Sequence, residues 1–181
     1  IELDIISKRC SDLLTSAPIP ESSKTVFTDE EVSRLWENQH LPWADSILFF
    51  LYTGFRISEM IHLQIPNVDL QSQTMIGGIK TEAGKNRLIP IHSKIFNLVQ
   101  SRAEQSKNGY LFEYEGKKIS LTKYREIWAG LMHTLQMHHT PHECRHTFRS
   151  WLDTAGANKV CIDRLMGHKS KGTGERVYTH K

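Results

Sequence analysis

Five consecutive residues, His142-Glu143-Cys144-Arg145-His146, spell the HExxH pattern in which two histidines one helical turn apart hold Zn²⁺ and the glutamate serves as general base. Pro141, directly after Thr140, suits the first turn of a helix, so the following residues can be set on a wheel of 3.6 per turn. Cys144, Phe148, Trp151, Leu152 and Ala155 fall on one apolar stripe, and His142, Arg145, His146 and Arg149 on a polar, cationic face. A zinc site needs a third protein ligand, and no distal Glu or His stands in a recognisable ligand motif. Arg145 would also place a like charge beside the metal. Two histidines and two arginines on one face suit an anion instead, and the best planar, bidentate partner of arginine is a phosphate. The helix alone leaves open that Arg145 pairs with surface carboxylates such as Glu143 or Asp153.

A second arginine, Arg56 in "TGFRISEM", stands just past Gly54 at the start of a helix whose free N–H groups favour an anion. An isolated arginine there reads equally as a capping or surface residue. Taken in order with "HECRHTF", "LMGH" and "ERVYTH", however, the string resembles the catalytic domain of the tyrosine recombinases, the phage-integrase family, over about Val26 to Lys181. Order and spacing together carry the resemblance: an arginine box, a β-hairpin lysine, an HxxR helix, a later Gly-His and a terminal tyrosine.

The resemblance implies metal-independent DNA cleavage and rejoining through a 3′-phosphotyrosyl intermediate, with catalytic residues at Arg56, Lys80, His142, Arg145, His168 and Tyr178. Each role meets a physical need. The two arginines would neutralise charge on the scissile phosphate. His142 and His168 would bond to the same oxygens, and one of them would help remove the phenolic proton. Tyr178, with an ordinary pKa of about 10, needs such a cationic field to act as nucleophile. Lys80, at the end of the apolar "MIGGI" run, would protonate the departing 5′-oxygen. Lys85, Arg87, Arg149, Lys169 and Lys171 are candidate DNA contacts. Glu59 reads equally as a support for its neighbours or as a solvated helix carboxylate.

No cofactor or metal is implied; the implied partners are double-stranded DNA at specific sites and further recombinase subunits, as a tetramer in the full complex. "HECRHTF" and "ERVYTHK" look most like integrases of mobile elements, such as conjugative transposons. Cys144 replaces a leucine common in the family, and the His168 to Tyr178 segment is one residue longer than its commonest pattern. A non-catalytic DNA-binding module of the same fold and an HExxH zinc hydrolase are the competing readings.

These residues need elements to hold them. Thr28 and Glu31 form a capping box that opens a helix to about Asn38, and an apolar helix follows from Trp43 to Thr53. "RISEMIHL" is a third, ended by Pro66. "MIGGI" and "RLIPI" are short β-type runs around "KTEAGKN", a hairpin with a turn at Gly84. Helical patterns return at Lys94 to Gln105, Leu121 to Met137, Pro141 to Ala155 and Asn158 to Met166, with Gly156 and Gly167 as C-terminal stops. The fold class expected is mostly α with one small antiparallel sheet.

At 181 residues the chain has the size of one ordinary domain. Its three widely spaced cysteines form neither a disulfide framework nor a CxxC zinc site, which fits a reducing compartment. No apolar run spans a bilayer, so a cytoplasmic location without membrane association is expected. The net charge of +3 is uneven: residues 139–181 hold eight Lys/Arg against four Asp/Glu. Such a surface suits a polyanion, although a solvated helical face has the same composition. Residues 1–25, with "TSAPIPESSKT", read as a linker from a missing N-terminal DNA-binding domain, and 26–181 as a catalytic domain lacking the tail beyond its nucleophile.

Overall fold

The computed structural model describes residues 25–78 and 85–168. Helix α1, Asp29–Glu37, starts at Thr28, whose N–H donates to the Glu31 carboxylate at 2.8 Å while its hydroxyl accepts from the Glu31 N–H at 3.2 Å. This reciprocal cap is worth about 1 kcal/mol. Helix α2, Ala44–Thr53, is apolar on nearly every side and forms the centre of the core, with Ile47, Leu48, Phe50 and Leu51 fully buried. It packs against α1, against α4 (Ser93–Gln105) and, most extensively, against α6 (Pro141–Thr154). Gly54 ends α2 with φ of +63°, and a Cβ there would run into the Phe148 ring of α6. Only glycine meets both demands.

Between these helices lies a three-stranded antiparallel sheet, β1 (Val68–Asp69), β2 (Thr74–Gly77) and β3 (Arg87–Pro90), in that order. Met75 and Ile89 face the core as a cross-strand pair, whereas the next pair, Ile76 and Leu88, faces out. A second hairpin, β4 (Glu113–Tyr114) and β5 (Lys117–Lys118), turns through Glu115 and Gly116, both at positive φ. Helix α5, Leu121–Leu135, then leads into α6, and α7, Lys159–Met166, packs on α6 through Ile162 and Met166 against Phe148.

The mostly α fold with small antiparallel sheets is the one expected. Its details differ in three places. The helix opened by Arg56 is short: α3 covers only Ile57–Met60, and Pro66 lies in a separate 3₁₀ turn, Ile65–Asn67. The expected single hairpin gains β1 as a third strand, and the β4–β5 hairpin was not anticipated. Ala155 is exposed because α6 ends at Thr154, so the apolar stripe stops before it. Among the described residues no helix is long and apolar enough to cross a membrane. The expected linker, apart from Thr25, lies outside the described residues.

Candidate active site

Arg145 is the most constrained residue of the site. Although the wheel assigns it to a polar face, it is 2% exposed, because that face of α6 is roofed by the ends of two other helices. Its Nη1 donates to the Gly54 carbonyl at the end of α2, and its Nη2 to the Met166 carbonyl at the end of α7. Carbonyls at helix C-termini lack intrahelical donors and carry partial negative charge, so two helix ends hold the guanidinium in place of the usual carboxylate. Desolvation and the nearby Arg56 and Arg87 cations push its pKa down to about 9, partly offset by Glu59. It remains cationic at neutral pH.

Arg56 stands at the N-cap of α3 with its side chain 28% exposed. Glu59 holds it twice, accepting from the Arg56 N–H at 2.8 Å and from its Nη1 at 3.1 Å. Glu59 is 3% exposed and also accepts two bonds from Arg87, one of 2.7 Å. Burial pushes the Glu59 carboxyl up, but the bonds from Arg87 and the Arg56 N–H, with both cations, hold it below the ordinary range. Of the two sequence readings of Glu59, the structure supports the one in which it positions its neighbours.

His142 lies at the surface of α6, edge-on to His146 with ring centroids 4.7 Å apart. Desolvation, followed by His146, Arg145 and Arg56, lowers its pKa. The left-handed Gly167 ends α7, and the His168 N–H bonds back to the Asp163 carbonyl at 2.9 Å, a Schellman-type turn that folds His168 toward α6. Desolvation and Arg145 lower the His168 pKa as well, against the opposing pull of Asp163, whose Oδ1 is 3.8 Å from Nδ1. Both rings are therefore mainly neutral at pH 7, each with a lone pair available for a proton. Arg56, His142, Arg145 and His168 line one open cleft of about 680 Å³, together with Arg149.

Residues 25–181 match the phage integrase family. The chain belongs to that family. Among curated relatives, tyrosine recombinase XerA of Pyrococcus furiosus is 29% identical over 182 residues, covering 93% of this chain and 62% of the relative. Tyrosine recombinase XerC of Actinobacillus succinogenes is 26% identical over 165 residues, covering 83% and 55%. The chain thus spans about six-tenths of the length of these relatives. Among solved structures, the Tn1549 transposon integrase in complex with circular intermediate DNA superposes with a TM-score of 0.73 at 24% identity, covering 97% of this chain and 66% of that one. The XerA recombinase gives 0.71 at 23%, covering 87% and 60%. At these identities the structural likeness is one of fold.

Within this phage-integrase fold the HExxH string has a different use. The Glu143 carboxylate accepts from the Thr140 N–H at 2.7 Å and lies 3.0 Å from Nδ1 of His139, so it caps α6. Among the described residues no group of three His, Cys, Asp or Glu side chains could hold a metal ion. Arg87 departs from its expected role as a DNA contact: it is 6% exposed and bound to Glu59. The signal was present, since residues 87, 89 and 91 share one face of an extended strand and the other two are the core residues Ile89 and Ile91. Lys85 is exposed, outside the lining of the cleft. Arg149 is 40% exposed by side chain, with Nε 3.5 Å from Asp153. Lys80, Lys169, Lys171 and Tyr178 lie outside the described residues.

Proposed function

We propose that this chain is the catalytic portion of a site-specific DNA recombinase that cuts and rejoins double-stranded DNA by transesterification. The observation that carries the reading is the cleft in which Arg56, Arg145, His142 and His168 converge, with Arg145 lacking a carboxylate partner among the described residues. Such a site offers a fixed positive field to a phosphate and two neutral imidazoles to a proton. Tyr178 attacks the scissile phosphorus, its phenolic proton passes to one of the histidines, and the P–O5′ bond breaks as the phosphotyrosyl bond forms. Lys80 protonates the departing 5′-oxygen. Attack by a different 5′-hydroxyl reverses the step, so neither nucleotide nor metal is consumed.

The proposed partners are a specific recombination site and further copies of the recombinase, as a tetramer on DNA, in the cytoplasm. The relatives' names, tyrosine recombinases XerA and XerC, support the recombinase reading, and the wording of "HECRHTF" and "ERVYTHK" supports a mobile-element role. The test is a nicked duplex bearing candidate element ends, incubated with the full chain in excess EDTA and resolved on a denaturing gel. A covalent protein–DNA adduct is expected, lost in Tyr178→Phe with DNA affinity retained. An adduct formed by Tyr178→Phe, or cleavage that requires added zinc, would reject the reading.

A further inference from the structure

Arg87 closes the last described rung of the β2–β3 ladder, opposite Gly77, and that rung is fitted to the segment carrying Arg56. A Cβ on Gly77 would stand 2.6 Å from Cζ of Phe55, the residue before Arg56, so the missing side chain makes room for that ring. The Arg87 guanidinium lies 5.2 Å from the centroid of the same ring and gives both terminal nitrogens to Glu59. Among the described residues its Nε has no hydrogen-bond partner. Burying a cation with one donor unsatisfied is an unfavourable way to fill a core position, and an apolar pair of similar volume commonly does as well. What an apolar pair would not do is fix a carboxylate. Glu59, clamped through both oxygens, in turn holds the backbone and the side chain of Arg56.

We infer that Arg87 is a positioning residue for phosphate recognition: through Glu59 it fixes the direction in which Arg56 presents its guanidinium to the cleft. At 6% exposure Arg87 is not itself presented to DNA. The inference rests on the proposed cleavage activity, because the placement of Arg56 is read through the reaction. A lysine at position 87 keeps the charge but cannot grip both carboxylate oxygens, so it restores the interaction only in part.

The experiment is a double-mutant cycle on single-turnover cleavage of the nicked duplex by the full chain, with DNA affinity and thermal unfolding measured in parallel. Arg87→Met is expected to slow cleavage by roughly tenfold to a hundredfold, the scale of a misplaced catalytic group. Its DNA affinity should stay within about threefold, since base and backbone contacts outside the cleft are retained. Arg87→Lys should fall between Arg87→Met and the parent. In an Arg56→Lys background, Arg87→Met should add less than about threefold, because its route to the phosphate is already cut. Losses that multiply, an unchanged rate in Arg87→Met, or a rate loss matched by lost affinity would each overturn the inference while leaving the recombinase reading intact. A parent chain that binds the duplex yet never forms an adduct would overturn both.

Discussion

Arg145 and Arg87 are equally hidden, at 2% and 6% exposure, yet the two junctions that hold them balance their charge in opposite ways. At the junction of β3 and α3, Arg87 meets a carboxylate in a two-point ion pair, and its charge is answered inside the protein. At the junction of α2, α6 and α7, Arg145 meets only carbonyls among the described residues, and their dipoles orient the guanidinium without cancelling it. A buried arginine of the first kind is architecture; one of the second kind is a field looking for an anion. Like exposure thus conceals unlike function, and the hydrogen-bond acceptor discriminates between them.

The sharpest way to break this comparison is to truncate the arginine whose charge is unanswered. Arg145→Ala should lower single-turnover cleavage by about 10²–10³, the usual loss when one preorganised transition-state donor is removed. DNA affinity should fall far less, because phosphate contacts outside the cleft persist. A cleavage loss no larger than that of Arg87→Met would mean that the carbonyl-held cation has no privileged role.

Glu59→Gln tests the other junction through stability. Removing the carboxylate charge leaves Arg87 buried without a counterion, a change that typically costs about 3–5 kcal/mol. Urea unfolding should show that loss, and adding Arg87→Met should recover most of it. Because the Glu59 pKa is depressed in the folded state, its contribution is complete above the unfolded value of about 4.3 and is lost as pH falls through the lower folded value. Unchanged stability in Glu59→Gln would show that Arg87 does not depend on the pair.

Much of this contrast was out of reach of the sequence, for identifiable reasons. The capping box at Thr28, the helix start at Pro141, the stop at Gly167 and the apolar α2 depend on neighbours in the chain, and they formed where local pattern indicated. Arg56, His142, Arg145 and His168 share a cleft. The wheel could not show that α2 and α7 end over Arg145, since those partners lie 91 and 21 residues away. Nor did two-residue strands such as β4 and β5 leave a readable alternation. Arg87 was misassigned by weighing its nearness to a turn above its register with Ile89.

The influence of Arg145 should also appear in a pH profile. His142 and His168 both sit below the ordinary imidazole value of about 6.5, with desolvation as the main cause and Arg145 among the others. If a neutral ring takes the phenolic proton, cleavage stays level near pH 7 and falls at acid pH, with its midpoint below 6.5. In Arg145→Gln the residual activity should show a midpoint moved upward, because one lowering charge is gone while burial remains. A midpoint that stays in place would detach the histidines from the arginine's field.

Arg149 extends the comparison to an arginine in solvent, and the smallest effect is expected there. Its side chain is 40% exposed, and Asp153, 54% exposed, is 3.5 Å away on the next turn of α6. An exposed pair of this kind contributes little to folding, so Arg149→Ala should leave urea stability within about 0.5 kcal/mol. Arg149 lines the cleft, and under the proposed function it would meet a phosphate beside the reacting one, where a cation displaces a DNA counterion without entering the transition state. Loss of one such contact should weaken binding for every duplex alike and reduce the slope of log affinity against log salt by about one. The cleavage rate of bound substrate should change less than in Arg145→Ala or Arg87→Met. Binding isotherms over a series of salt concentrations separate the cases: a shallower slope with an unchanged bound-state rate places Arg149 on the rim. An unchanged slope with a large rate loss would instead group it with Arg145, and exposure would no longer separate arginines that bind DNA from arginines that act on it.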